Sequence, residues 1–507
     1  MGKYKWLLVI LTLAIVARWG TFFISVINHD ESTYIVIADE MLRGEVYLRD
    51  VVDTKPIGIF WIYAALIKLT GGSIFALRAA AAAVVGLGGW GLFLAGRRAT
   101  GSEQVGAAAG VTYVFICSLF TYYGVSPNTE IFFNLFTIAA VALAVAPRIR
   151  KGGGDPAWHW PVAGFLLGLA VIIKPFAAAE ALAVGLFMVW FYGQRKAFGR
   201  MVGSGLLLVG FFSLPLLFVY GYYQRLGLLD QLAFYTLDVS AAYPVDLPWY
   251  LRLKYMGDYL LRFSPFVILG AGALVQWKKQ KSSAGIRWWT YLLLQFLLVT
   301  VVVLLTGKRF GHYQVQLHPV LALLAACWWM PGFPSAFSVI RKWYHKLRSG
   351  SGLQTGPVTI PETASSFGGR GWWLVGAFAL LLGVTHFGIY NNKEDYPKEL
   401  AVYLEDHLGP NETFFFINGH QITYHLTGRT VPTPYVHSSL LFLDHHVRAF
   451  QVDEVAEADR IINNPKVVCL VGRRDDPEVG GILGQRLMDV FEPVDSVGER
   501  LVVYRRR

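Results

Sequence analysis

Runs of about 20 apolar residues recur along most of the chain, long enough to cross a bilayer as helices. They fall at roughly 6–27, 73–95, 104–122, 129–147, 159–175, 177–193, 201–223, 257–276, 288–306, 314–331 and 372–391. Charged residues make up 16% of the 507, against about 25% in a soluble protein. These features predict a polytopic α-helical membrane protein with about eleven spans. The first run, Trp6 to Ile27, shows no small-residue cleavage site before His29 and reads as a retained span, not a signal peptide. The fifth and sixth runs meet at Lys174-Pro175 and read as a broken pair.

Net charge is +11, which in a soluble chain would raise nucleic acid as a partner. Here the bilayer is the partner, because the positive charges sit in short loops between apolar runs. With the N-terminus inside, alternation gathers Arg97 and Arg98, Arg148 to Lys151, Arg195 to Arg200, Lys278 to Arg287 and Arg341 to Arg370 on the cytoplasmic side. Residues 29–72, the 308–313 segment and the C-terminal tail then lie outside. Cys117, Cys327 and Cys469 suggest neither a disulfide framework nor a metal cluster.

Outer loop 29–72 carries unusual charge for its surroundings: Asp30, Glu31, Asp39, Glu40, Asp50, Asp53, Arg43, Arg49 and Lys55. Tyr34, Ile37, Ala38, Met41 and Leu42 recur at helical spacing, and Gly44 is placed to end that helix. A second apolar stretch runs from Ile57 to Leu69 and stops at Gly71-Gly72. Both are too short to span and read as interfacial helices lying on the membrane. Residues 332–371 form a cytoplasmic linker rich in Gly, Ser, Thr and Pro. From 392 to 507 the composition turns to that of a small extracytoplasmic α/β domain. Helices are expected over 397–408, 421–426 and 455–462, and strands over 413–417, 467–471 and 500–504.

Several polar residues suit chemistry at the rim. Asp30 and Glu31 suit a helix N-cap and first turn, and equally a carboxylate that takes a proton from a hydroxyl. Asp53 and Lys55 suit a local ion pair, or a lysine on a lipid-borne phosphate, with Tyr34 nearby on the helix. Asn128 and Glu130 open the fourth span, Arg78 lies early in the second, and Lys174 ends the fifth. Each must snorkel, pair or face a polar cavity. Lys308 and Arg309, followed by His312 and Tyr313, sit outside against the charge rule, as an anionic ligand would require. Arg18 stands inside the first run with no partner evident from sequence. No phosphate loop, dinucleotide fingerprint or zinc motif occurs.

The order of these features resembles the bacterial branch of the dolichyl-phosphate-mannose protein mannosyltransferase superfamily, which includes the aminoarabinose transferases. The resemblance rests on Asp30-Glu31 after the first span, Lys55-Pro56, Arg78 and Asn128-x-Glu130. It continues in Gly164-x-x-x-Gly168 ahead of Lys174-Pro175, in Arg309-Phe310-x-His312-Tyr313 ahead of Pro319, and in Tyr424-x-Leu426-Thr427-Gly428-Arg429. It implies the GT-C fold in a bacterial inner or plasma membrane. The implied activity is sugar transfer, hexosyl or pentosyl, from a polyprenyl-phosphate donor to an extracytoplasmic acceptor: protein, lipid or envelope glycan. Asp30 would be the base, with Glu31 and Glu130 as further acidic residues. Lys55, Arg309, His312, Arg78 and Lys174 would hold the donor phosphate, with Tyr34, Asp53, Asn128 and Tyr313 around them. Some relatives bind a divalent metal near this loop, where Asp53 stands in place of the more usual Glu. The rival classes are a transporter or flippase of lipid-linked sugars, whose charges should lie at the midplane with inverted repeats, and an assembly protein using its outer domain. An oligosaccharide ligase is a neighbour among enzymes.

Overall fold

The computed structural model describes residues 2–149, 156–242, 247–308, 311–331, 333, 369–417, 419, 421–437, 439–474 and 481–507. The apolar runs form helices of differing length. The helices are α1 Gly2–Arg18, α2 His29–Leu42, α3 Ile57–Thr70, α4 Ile74–Thr100, α5 Glu103–Ile116, α6 Thr129–Ala140 and α7 His159–Ile173. Then come α8 Ala178–Gly193, α9 Phe198–Leu226, α10 Trp249–Arg262, α11 Ser264–Lys279, α12 Ser283–Leu305, α13 His318–Ala326 and α14 Gly369–Asn391. Among the described residues seven helical stretches are long and apolar enough to cross a membrane, or eight if α10 and α11, bent by 78°, form one broken span.

The expected third, fifth and tenth spans are helices of 14, 15 and 9 residues, shorter than the roughly 20 that a bilayer needs. The first ends at Arg18, not Ile27. The first and third runs go on from their α-helices into turns, and the tenth is flanked by 3₁₀ turns at Gly311–Leu317 and Cys327–Trp329; such backbone, where buried, must find its hydrogen bonds within the protein. Arg18 supplies one such satisfaction. Its guanidinium donates to the carbonyls of Cys117, Gly124 and Val125, the loop after α5. The Gly164-x-x-x-Gly168 motif has a packing role. A Cβ at either glycine would collide with the carbonyl of Leu208 or Phe212, so α7 and α9 meet backbone to backbone.

Both short helices of the 29–72 loop are present. Gly44, at φ +106°, follows the C-cap of α2, and Gly71, at φ +67°, caps α3. However, α2 does not lie open on a surface. Nine of its residues are buried, because α3 packs on one side and Ile422–Leu426 of the C-terminal unit on the other.

The C-terminal unit holds a four-stranded sheet of order β1-β2-β4-β3: β1 Thr413–Phe416, β2 Val467–Arg473, β3 Phe491–Val497 and β4 Leu501–Arg506. β1 and β2 are parallel and the other pairs antiparallel. The strand β3 and the helix Gly481–Val490 were not expected from sequence. β3 carries Pro493, two acids and five exposed residues in succession, as an edge strand does. The alternation of side chains splits the sheet between two cores. Phe414, Phe416, Cys469 and Val471 join the apolar core that continues into the helical bundle. Phe415, Ile417 and Leu470 face a separate cluster with Ala458, Ile461, Leu483 and Leu487.

Candidate active site

Asp30 is freed for chemistry by its neighbour. The N-cap of α2 is Asn28, not Asp30: Asn28 Oδ1 accepts from the Asp30 amide at 2.9 Å. The Asp30 carboxylate is therefore not spent on capping. The chain from Val46 then folds back on itself. The Val46 amide donates to Asp50 Oδ2 at 2.8 Å, and the buried Tyr47 hydroxyl donates to the carbonyls of Asp53 and Lys55. This tether fixes Lys55 just ahead of Pro56, the N-cap of α3.

Lys55 Nζ consequently lies 3.5 Å from Asp30 Oδ1 and 3.7 Å from Asp53 Oδ2, with the Tyr34 ring centre 5.9 Å away. From the Gly311–Leu317 turn, His312 Nε2 comes within 3.7 Å of Asp30 Oδ2. Each Asp30 oxygen thus faces one basic group at longer than ordinary charged hydrogen-bond distance, about 2.7–2.9 Å. The Asp30 and Lys55 side chains are each 20% exposed. Burial alone would raise the Asp30 carboxyl. The charge of Lys55, then His312, His437 and Lys174, outweighs it and holds the group below the usual carboxylate range. Burial pulls His312 below its usual value, against the pull of Glu130 upward, which favours the neutral imidazole.

Beside this cluster Lys174 pairs with Glu130. Lys174 sits at the extended break between α7 and the Pro175–Ala177 turn, and Glu130 in the first turn of α6. Both are buried, so neither side chain snorkels to solvent. Lys174 Nζ stands 4.0 Å from the centre of the Tyr313 ring. Asn128, the N-cap residue of α6, makes no side-chain cap. Its buried side-chain nitrogen and oxygen have no hydrogen-bond partner among the described residues, an arrangement suited to receiving a ligand.

Glu31 and Arg78 are placed differently. Arg78 grips Glu31 with Nε at 2.8 Å and Nη2 at 3.1 Å, and donates further to the carbonyls of Thr21, Ile24 and Ser25. Both are 2% exposed and saturated by one another and by the 19–25 connection. Their geometry is that of a brace. Arg309 lies outside the described residues.

Asp53 stands beside Lys55. Its Oδ1 accepts from the Thr54 amide at 2.7 Å, and its Oδ2 is already faced by the Lys55 ammonium. Among the described residues no three His, Cys, Asp or Glu side chains gather around a common point.

The C-terminal unit reaches this cluster, which no sequence pattern announced. Gln421 Nε2 donates to Thr33 Oγ1 at 2.8 Å and to the His29 carbonyl at 3.2 Å. His425 bridges Asp39 Oδ2 at 2.5 Å and the Gly72 carbonyl at 2.7 Å. His437 lies beside His29, ring centres 6.2 Å apart. The motif 424–429 is thus a docking element: Tyr424 is a core residue, and Arg429 donates to the carbonyls of Leu408, Gly409 and Glu412.

Residues 54–219 match the model of the family described as dolichyl-phosphate-mannose-protein mannosyltransferase. Over 198 residues the chain is 29% identical to undecaprenyl phosphate-alpha-4-amino-4-deoxy-L-arabinose arabinosyl transferase 1 of Pseudomonas fluorescens (strain Pf0-1). That match takes in 36% of this chain and about a third, 32%, of the relative's length. The fold is similar to that of ArnT from Cupriavidus metallidurans bound to undecaprenyl phosphate, with a TM-score of 0.67 at 13% identity over 99% of this chain and 98% of that one. ArnT from the same organism in the apo state gives a TM-score of 0.65 with the same identity and coverage. The resemblance carried by the motifs is therefore upheld, in sequence over one segment and in fold over nearly the whole chain.

Proposed function

From that resemblance and the shared fold, we propose that this protein transfers a sugar from a polyprenyl-phosphate donor to an acceptor on the extracytoplasmic face of a bacterial membrane. The observation that carries the reading is the Asp30 carboxylate, partly open and faced on its two oxygens by Lys55 and His312. The lipid tail of the donor lies among the helices and its phosphate meets Lys55. Asp30 removes the proton of an acceptor hydroxyl. The acceptor oxygen forms its bond to the anomeric carbon while the bond from that carbon to the phosphate oxygen breaks. The polyprenyl phosphate leaves with the electron pair, and the configuration at the carbon inverts.

The electrostatics of the cluster suit this order. The charge of Lys55 favours the ionised form of Asp30. Once Lys55 is engaged by phosphate, less of its charge acts on Asp30, and the carboxylate becomes a stronger base when a proton must be taken. Negative charge growing on the departing phosphate is stabilised by Lys55 and the neighbouring basic groups. Glu130 and Lys174 pair beside the cluster, with Asn128 and Tyr313 able to contact the sugar or phosphate.

The test is transfer of labelled sugar from undecaprenyl-phosphate sugar in membranes. Asp30→Asn is expected to lose roughly 10²–10⁴-fold in rate. Near-full transfer by that variant would defeat the assignment. Movement of the lipid-linked sugar across the bilayer without transfer would instead favour the flippase class.

A further inference from the structure

The segment around residue 435 belongs to the C-terminal unit but completes the neighbourhood of Asp30. The Val52 amide donates to the Pro434 carbonyl at 2.8 Å, and Val52 pairs with Tyr435 as an isolated parallel bridge. Val52 immediately precedes Asp53, so this bridge locks the segment onto the loop that carries Lys55. Two residues beyond Tyr435, the His437 imidazole lies beside His29 and near enough to Asp53, Asp30 and Lys55 for their charges to act on it. Among the described residues its hydrogen-bond partner is Ser439, whose Oγ lies 2.6 Å from Nδ1. That contact fixes the ring and leaves Nε2 as the nitrogen for a ligand. Burial, the largest influence, pulls the imidazole below its usual value, so it is neutral at pH 7 and does not repel Lys55.

The reading above places the donor phosphate at Lys55, 3.5 Å from Asp30. A polar, neutral, anchored group next to the proposed base is suited to the second substrate. We propose that His437 is the contact by which the C-terminal unit holds the sugar acceptor. Its Nε2 hydrogen-bonds a hydroxyl-bearing acceptor and turns the nucleophilic hydroxyl toward Asp30. The transfer site is then shared between the helical bundle and the C-terminal unit, and the bundle alone is incomplete. This assignment rests on the transferase reading.

The experiment uses the full-length protein in native membranes charged with labelled undecaprenyl-phosphate sugar. It reads two products, label joined to the envelope fraction and label released to water as free sugar. Binding of undecaprenyl phosphate to the purified protein is measured in parallel. His437→Ala is expected to lower envelope transfer ~10–100-fold, with release to water and undecaprenyl phosphate affinity within about twofold of wild type. His437→Gln, which keeps a donor near the Nε2 position, recovers part of the transfer, and Ser439→Ala gives an intermediate loss. These two variants carry the test if His437→Ala unfolds, which a melting curve reports. Unchanged transfer in His437→Ala, or an equal loss of transfer, release and lipid binding, would overturn the assignment. A wild-type protein that yields neither product defeats the transferase reading itself, a separate result.

Discussion

Asp30 and Glu31 are adjacent in the chain and are treated in opposite ways. Glu31 is 2% exposed and gripped by both arms of Arg78, whose remaining donors are bound to carbonyls. Asp30 is 20% exposed and faced by Lys55 and His312 only at 3.5 and 3.7 Å. The first arrangement holds the start of α2 against α4 and leaves no room for a ligand. The second keeps charges near one another without letting them saturate. What separates the two acids is exposure and whether the partner closes on the carboxylate.

The comparison can be broken by experiment, and the largest effect belongs to Asp30. Asp30→Asn should abolish nearly all transfer, roughly 10²–10⁴-fold, and lower the melting temperature only by the loss of its charge pairing with Lys55 and His312, less than the loss of a buried closed pair. Glu31→Ala should do the reverse. It strands a buried Arg78, at a cost of about 3–5 kcal/mol in stability read by thermal unfolding in detergent, while the surviving folded molecules retain transfer. Equal melting temperatures for the two variants would erase the distinction.

Lys55→Met sharpens the electrostatic part. It should weaken undecaprenyl phosphate binding by about tenfold. It should also move the acid limb of the rate profile upward in pH, because Lys55 is the main charge that depresses Asp30. The sign follows from that depression. The stability that Asp30 contributes is present above its ordinary value of 3.8 and is lost as pH falls through the lower folded value, so Lys55→Met also shrinks stability at neutral pH. An acid limb that stays in place would separate Lys55 from Asp30.

The smallest effect concerns His425. Both its ring nitrogens face acceptors, Asp39 and the Gly72 carbonyl, which requires the protonated form. Burial opposes this, but the hydrogen bond and charge of Asp39 win and raise the group above its ordinary value of 6.5. Its contribution is complete below that value and is lost as pH rises through the folded one. Melting temperature should therefore fall by a few degrees above neutral pH, and Asp39→Asn should flatten that slope.

The residues that gather as Asp30, Lys55 and His312 were legible because charge stands out against an apolar sequence and each residue sits at the edge of a run. The same contrast placed Glu130 and Lys174, although not their pairing with each other. Arg78 was also found by contrast, but its partner Glu31 lies 47 positions away and sequence does not record that distance. The span boundaries were less legible, because hydropathy does not tell an apolar run buried in protein from one facing lipid, as in α13, whose nine α-helical residues lie between 3₁₀ turns. His437 left no trace because a single histidine in a short segment has no periodicity and no contrast, and long-range contacts such as the Val52–Tyr435 bridge bring it beside His29.

The docking of residues 421–437 on α2 has a further consequence for biogenesis. The contacts Gln421–Thr33 and His425–Asp39 join positions 388 and 386 residues apart. A ribosome adding about 5–20 residues per second leaves that face of α2 uncovered for tens of seconds after it emerges. Until the tail arrives, the carboxylates of the loop stand open to water with half their surroundings missing. Contacts of such long range also form slowly.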